Sequence, residues 1–302
     1  MAQDPSRFGR PVRGNPVLMV RQTISRLEQA SALDAISDRL QSVVQNVIKP
    51  RRVRDLLHGT WLGHPLHPVL VQLPVGAFMS AAVLDALPGQ DKAATTLIAV
   101  GTAGAAPAVA AGLMDWSELS RDQRRVGLVH AAANTVALGL YAGSLAARLS
   151  GRRGLGKILG YAGLSLAGGG AYLGGHLSYE QGAQMNHGSS EVLRLPEDWA
   201  ELGEVSALPE GKPTVRTIGD VRVLLYRLGD DVTAMVERCG HQGGPLGEGK
   251  VEGTGESACV VCPWHGSTFR LKDGLVVHGP AAGDQPTLRT RIRDGVLSVA
   301  TP

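Results

Sequence analysis

Two short stretches of this chain carry residue types that bind metals. One is CVVCPWHGSTF, residues 259–269, and the other is ERCGHQGGPLGEG, residues 237–249. Together they present Cys239-Gly-His241 and Cys262-Pro-Trp-His265. Two thiols and two imidazoles suit either a zinc ion or an iron–sulfur cluster. Zinc asks only for ligand spacing. Here the ligands sit in loops filled with Gly243, Gly244, Pro245, Leu246 and Gly247, then Gly266 and Ser267. Glycine lets backbone amides come close to sulfur, and such loops shield an object larger than one ion. The loops therefore favour a cluster over zinc. Cys259 and Cys262 could mimic a metal-binding pair, but Cys259 falls in ESACVVC, which reads as a strand, and a buried free thiol is expected there.

The combined pattern, C-x-H-x-G-x-P-L followed by C-P-W-H-G-x-x-F, closely resembles the Rieske family over residues 197–302. The resemblance implies a [2Fe–2S] cluster with one iron bound by the thiolates of Cys239 and Cys262. The other iron would be bound by the imidazoles of His241 and His265. Histidine in place of two thiolates raises the reduction potential into a window of about −150 to +300 mV. It also implies two imidazole edges near the surface, where electrons leave and a proton can follow. Respiratory Rieske proteins carry an extra, disulfide-bonded cysteine in each loop. Gly244, beside Pro245, and Trp264 stand at those positions here, so the chain looks like the ferredoxin and oxygenase-component type, suited to a reducing compartment. Ser267 is retained where a hydroxyl hydrogen-bonds a bridging sulfide, and Phe269 replaces a frequent Tyr. A mid-range potential, near or somewhat below zero, is the expectation.

These loops need a scaffold. TVRTI, VRVLLYR, VTAMVE, LVVH, LRTRIR and VLSV alternate as short strands, with turns at Asp230-Asp231, Asp273-Gly274 and Asp294-Gly295. An all-β domain over 195–302 is expected, with His278 as a surface or turn residue.

The rest of the 302 residues reads differently. The chain carries 30 Lys+Arg against 27 Asp+Glu, a net charge of +3, and its arginines are scattered. That excludes nucleic acid as a partner. Three cysteines make a disulfide framework unsuitable, and the polar N-terminus MAQDPSRFGRPVRG is no signal peptide. Apolar segments run at Leu66–Leu87, Ala93–Met114, Val126–Ala147 and Leu155–Leu177, each near the ~20 residues a helix needs to cross a membrane. They lack the polar stripe of a soluble helix, and their glycines and alanines suit close packing in lipid. A four-helix transmembrane bundle over 61–185 is therefore expected before the all-β domain. Residues 1–60 form a polar segment whose Leu33, Ile36, Leu40, Val43, Val44 and Val47 have helical spacing, an amphipathic helix lying on the membrane or on another domain.

Four spans put both termini on one side. That side collects His64, His67, Asp115, Trp116, His130, Asn134, His176, Tyr179 and Glu180, while the other offers little beyond Asp85. Ionisable groups at membrane depth mark partners or cavities. The run HGTWLGHPLHPVLVQLPVGAF, the Asp115-Trp116 pair, His130 and GGHLSYEQG resemble a family of small bacterial four-helix membrane proteins of undefined function, over residues 57–185. Positive charges nearly balance across the membrane. With no export signal read in the N-terminal segment and a β domain that needs no disulfide, the polar side is expected in the cytoplasm. The twin arginine Arg51-Arg52 has no short apolar run at signal spacing.

The expected function is a membrane-anchored electron carrier serving redox partner proteins. The alternative is a quinol-linked oxidoreductase in which His67, His130 and His176, with Asp115, bind haem b or a quinone. Those histidines could also hold a metal ion, or simply hydrogen-bond helix ends, Asp115 and one another. A redox sensor is a third class that no residue favours. The chain ends at Pro302, directly after the β domain, so an oxygenase catalytic subunit is not expected.

Overall fold

The computed structural model describes residues 16–302; the polar stretch where no signal peptide is expected lies outside them. The described chain begins with α1 (Pro16–Glu28), α2 (Asp34–Val47) and α3 (Arg51–His58). The apolar segments follow as α4 (Leu66–Leu70) with α5 (Gln72–Asp85), α6 (Asp91–Trp116), α7 (Arg121–Leu149) and α8 (Arg153–Tyr179). The first segment is broken at Val71, where continuity was expected. Pro74 lacks the amide that would bond the Leu70 carbonyl, which loosens the turn there. A Ser120–Gln123 capping box starts α7 well before the apolar run.

α7 packs along α8 and α5 along α6, and α6–α7 and α5–α8 contacts close the four-helix bundle. Phe78, Ala81, Ile98 and Tyr141 fill part of its core, Phe78 lying flat on Tyr141 with ring centroids 3.5 Å apart. Met79, Val83, Val100, Val109, Val136 and Ile158 face outward, where a water-soluble bundle would be polar. Three helical stretches, Leu66–Asp85 (α4 with α5), Asp91–Trp116 and Arg121–Leu149, are long and apolar enough to cross a membrane. α8 matches them in length, but its many glycines dilute its apolar content.

α2 lies across one end of the bundle. Its apolar positions divide: Val44 is buried and Leu40 packs on the bundle, while Ile36, Val43 and Val47 stay exposed, as they would on a helix lying at a membrane surface. Polar groups add to the contact, since this end of the bundle offers a free carbonyl and guanidinium groups. Gln41 donates to the Ser117 carbonyl at 2.7 Å. Arg124 reaches Asp38 at 2.6 Å, and Arg125 grips both oxygens of Asp34 at 2.7 Å.

The β domain has two antiparallel sheets. The first runs β1 (Ala200–Glu204), β2 (Thr214–Ile218), β3 (Val221–Leu228), β4 (Asp231–Val236), then, after the second sheet, β9 (Thr287–Arg293) and β10 (Val296–Ala300), in the spatial order β1-β10-β9-β4-β3-β2. The second is β5 (Lys250–Glu252), β6 (Cys259–Val261), β7 (Thr268–Arg270) and β8 (Val276–His278), in chain order. Alternation on β3 sends Leu224 and Tyr226 into a core with Leu246, Val260 and Phe269, and Val223 and Leu225 into a second core with Val232 and Leu297.

At the far end of the bundle Asp85 and Arg148 form a two-pronged ion pair, with Arg148 Nη1 2.9 Å from Oδ1 and both residues buried. Removing one partner strands a buried charge, at a cost of about 3–5 kcal/mol. Arg148→Met should sharply lower the thermal midpoint in detergent. The double variant Asp85→Asn/Arg148→Gln should recover most of the loss.

Candidate functional site

The two metal-binding stretches become two loops at one tip of the β domain. The first joins β4 to β5 and carries Cys239 and His241; the second joins β6 to β7 and carries Cys262 and His265. Both close on their own cysteine in the same way. The amide of Cys239 donates to the Gly244 carbonyl at 2.9 Å, and that of Gly243 returns to the Cys239 carbonyl at 2.9 Å. Likewise the amide of Cys262 donates to Ser267 O at 2.8 Å, and that of Gly266 to Cys262 O at 3.0 Å. The fourth residue after each cysteine is thus a glycine with positive φ, +74° at Gly243 and +78° at Gly266, a conformation costly for any residue with a Cβ.

This closure turns amides toward the sulfurs. Those of His241 and Gln242 hydrogen-bond Cys239, and those of Trp264 and His265 hydrogen-bond Cys262. Cys239 and Cys262 are free thiols facing each other; their mutual hydrogen bonding, with burial, pushes the Cys239 thiol up, and the same contact, with the two amides, brings Cys262 down to about 7. A Cβ on Gly244 would lie 2.8 Å from the Cys262 sulfur and 3.0 Å from Trp264 Cγ, so only glycine leaves this space free. Gly244 and Trp264, the positions of the extra cysteines in the respiratory type, do meet. Pro245 pairs with Arg238 in an isolated bridge that pins the first loop.

Opposite the sulfurs stand the imidazoles, with ring centroids 5.0 Å apart and planes nearly perpendicular. His241 is only 3 % exposed, yet neither of its ring nitrogens has a hydrogen-bond partner. An orphaned buried imidazole is costly unless something binds it. Burial, with the neighbouring His265, His58 and His187, holds His241 well below its ordinary pKa, and burial lowers His265 too. Both rings therefore favour the neutral form that ligates metals. Among the described residues no three His, Cys, Asp or Glu side chains converge on one ion. Two sulfurs on one side and two imidazoles on the other match a two-iron cluster better than zinc.

Gln285 and Asp55 were not legible in the sequence as supports, and Ser267, which was, gains a partner that the sequence did not show. Gln285, fully buried, accepts from the Gly240 amide at 2.9 Å and donates to the Val236 and Arg238 carbonyls, clamping the first loop. Ser267 accepts from the Ala281 amide at 2.9 Å, which leaves its hydroxyl proton free to donate. Asp55 of α3 accepts from His278 Nδ1 at 2.8 Å and from the Gly279 amide at 3.0 Å, docking the helical part onto the β domain. His278, expected as a surface or turn residue, ends β8 and meets α3 through Asp55. Cys259 lies in β6 as expected but is half-buried; alternation gives the buried place to Val260.

Docking changes the surroundings of the tip. His241, whose edge was expected near the surface, is covered; the 186–187 segment lies against Gly240. His265 borders a cleft of about 390 Å3 shared with Trp264, Gln242 and Ser120 of the α7 cap. The bundle residues expected as one site separate into pairs. His67 and His130 meet, with ring centroids 6.5 Å apart. Asp115 instead bonds His58 at 2.8 Å, both buried, and His176 bonds Glu28 of α1 at 2.8 Å. His64 is exposed.

Comparison with known proteins places these domains. The Rieske [2Fe-2S] domain model matches residues 198–289, and the model described as "predicted membrane protein (DUF2231)" matches 63–187. The anthranilate 1,2-dioxygenase ferredoxin subunit of Burkholderia cepacia is 30% identical over 102 residues, which are 34% of this chain and 91% of that protein. The 3-phenylpropionate/cinnamic acid dioxygenase ferredoxin subunit of Escherichia coli K12 is 29% identical over 98 residues, 32% of this chain and 89% of that one. Among solved structures, the ferredoxin of carbazole 1,9a-dioxygenase from Nocardioides aromaticivorans IC177 aligns at 23% identity and a TM-score of 0.32, over 34% of this chain and 98% of that one. With the loop pattern, the orphaned imidazole and the Burkholderia cepacia relative together, the chain belongs to the Rieske [2Fe–2S] family through its C-terminal domain.

Proposed function

We propose that this protein is a membrane-anchored electron carrier whose Rieske cluster is held by Cys239 and Cys262 on one iron and by His241 and His265 on the other. The observation that carries the reading is the twin loop: two sulfurs, each fed by two backbone amides, facing a buried imidazole with no other partner. When bound, the [2Fe–2S] cluster supplies one-electron chemistry at a potential raised by its histidines.

The chain's own residues hold, tune and screen that group. The amides at Cys239 and Cys262 stabilise thiolates. The free hydroxyl proton of Ser267 is available to a cluster sulfur, which raises the potential, while Phe269 offers no second hydroxyl. Leu246, Val260 and Phe269 pack with both cysteines in one buried apolar cluster behind the site. Trp264, 57 % exposed, and His265 at the cleft are the edge through which a partner protein gains access. The named relatives are ferredoxin subunits of dioxygenases, which supports redox proteins of that general class as partners. The bundle of four spans anchors the carrier, with the β domain on the cytoplasmic side. Protease treatment of inside-out vesicles should therefore cut the β domain, and protection there overturns this orientation.

A second reading, a quinol-linked oxidoreductase in which bundle histidines bind haem b or a quinone, draws on His67 and His130, whose ring centroids lie 6.5 Å apart. Stopped-flow reduction of the cluster separates the two. A soluble ferredoxin reductase should reduce it rapidly and a short-chain quinol should not; the reverse result would favour the quinol enzyme.

Pulsed EPR of the reduced protein should resolve two coupled imidazole nitrogens. His265→Cys should remove one of them, and Cys239→Ser should abolish cluster loading. Film voltammetry should give a potential near or somewhat below zero, and a value above about +200 mV would contradict the mid-range assignment.

A further inference from the structure

α3 is turned inside out for a helix in water. At helical spacing, Arg51, Arg54, Asp55 and His58 share one side of it. That side faces the protein, and each of its polar residues is bonded there. Arg51 reaches Thr268 at 3.0 Å, Arg54 reaches Glu118 at 2.6 Å, Asp55 holds the 278–279 corner and His58 bonds Asp115. The opposite side carries Val53 and Leu56, both exposed, with Arg52 beside them. A helix against water does the reverse, burying its apolar side and showing its polar one.

The apolar side continues past the end of the helix. Trp61 is 65 % exposed, and its Nε1 donates to the Leu56 carbonyl at 3.3 Å, so the indole stays against α3. Leu62 is exposed next to it. Two left-handed glycines, Gly59 with φ +81° and Gly63 with φ +71°, turn the chain here. A Cβ on Gly59 would lie 2.8 Å from the Leu66 nitrogen and 3.2 Å from the Leu66 Cβ, so the end of α3 touches the first residue of the Leu66–Asp85 span. On the span itself Val69, Leu73 and Val75 are exposed. Exposed apolar side chains thus follow one another from Val53 through Trp61 onto the outer face of the bundle.

Continuity says what covers this face. Val69, Leu73 and Val75 belong to a span, whose outer side meets acyl chains. Trp61 stands where that span begins, the level at which a side chain with an apolar body and one N–H is favoured. Lys49 and Arg52, both exposed at the start of α3, complement the negative charge of a lipid surface. Apolar side chains with basic residues beside them are the pattern of a helix lying in the boundary layer of a bilayer.

We propose that α3 and Trp61 form an interfacial anchor whose apolar side lies between the headgroups and acyl chains of the bilayer that holds the spans. The inference rests on the reading of the bundle as a membrane anchor. Its consequence concerns the cluster. Thr268, which Arg51 holds, directly follows Ser267 of the second cluster loop, and the corner that Asp55 holds lies at the end of β8. The side of α3 away from lipid therefore fixes the cluster domain against the membrane surface, and a redox partner must deliver its electron at that height.

The test uses full-length, cluster-loaded protein in liposomes, with and without phosphatidylcholine brominated on its acyl chains, a contact quencher of tryptophan fluorescence. The wild type should be quenched, and Trp61→Phe should remove most of that quenching while the EPR signal of the cluster persists. Adding Leu56→Trp to Trp61→Phe should bring the quenching back. Met79, exposed on α5, reports on the spans alone: Met79→Trp in the Trp61→Phe background should be quenched whatever α3 does. If Met79→Trp is quenched and the tryptophans at 61 and 56 are not, the membrane anchor stands and this proposal is overturned. If none of the three is quenched, both fall. A second copy seated on the face would give dimers in nanodiscs that Leu56→Glu separates, with Trp61 unquenched, and this too overturns the proposal.

Discussion

The twin closure of each loop on its own cysteine is the constraint on which the site depends. One amide out and one amide back fix each sulfur relative to its neighbours before anything binds. The glycine four residues on permits the turn, and the remaining amides of the loop then converge on sulfur. A side chain at Gly244 would push on both Cys262 and Trp264, so the contact between the loops is as restrictive as the loops themselves. Preorganisation of this kind spares the site the rearrangement that would otherwise accompany binding.

The β domain is not merely tethered. Asp55 takes two hydrogen bonds from the 278–279 corner, and Arg51 reaches Thr268 at 3.0 Å. Both come from α3, the element that also carries His58 to Asp115. One short helix therefore links the polar end of the bundle to the cluster tip. The result differs from an isolated carrier: one histidine edge is covered and the other borders a cleft. Access to the cluster becomes a property of the assembled chain.

The bundle spends its polar residues unevenly. Its far end holds the Asp85–Arg148 pair, supported by Lys157 at the Asp85 carbonyl, and this pair ties α5, α7 and α8 together. The near end and the interior hold the histidines. In an apolar surrounding each such group needs a partner, and the structure supplies one to most of them: Asp115 to His58, Glu28 to His176, backbone carbonyls to His67 and His130. The His58 Nε2 and Asp115 Oδ2 atoms remain without partners, at the side of the pair away from its mutual bond.

The sequence by itself determined the elements governed by short-range pattern. Cysteine, histidine and glycine within a few residues of one another define the loops, because a loop closes on its own atoms. Runs of apolar residues define the bundle, and alternation defines the strands, because a helix length or a pleat is local geometry. Tertiary structure decided the rest. Gln285 clamps a loop some forty residues upstream, His58 finds Asp115 across two helices, and Glu28 captures His176 from the far end of the chain. Those partners share no spacing rule; they meet only because the helices and sheets pack. The same holds for α2: its apolar spacing marks one face, and only packing turned Val44 and Leu40 to the bundle and left Ile36, Val43 and Val47 exposed. For His67 and His130 the sequence could place two imidazoles at similar depth. Only the packing of α4, α6, α7 and α8 set their separation and turned both Nδ1 atoms to carbonyls.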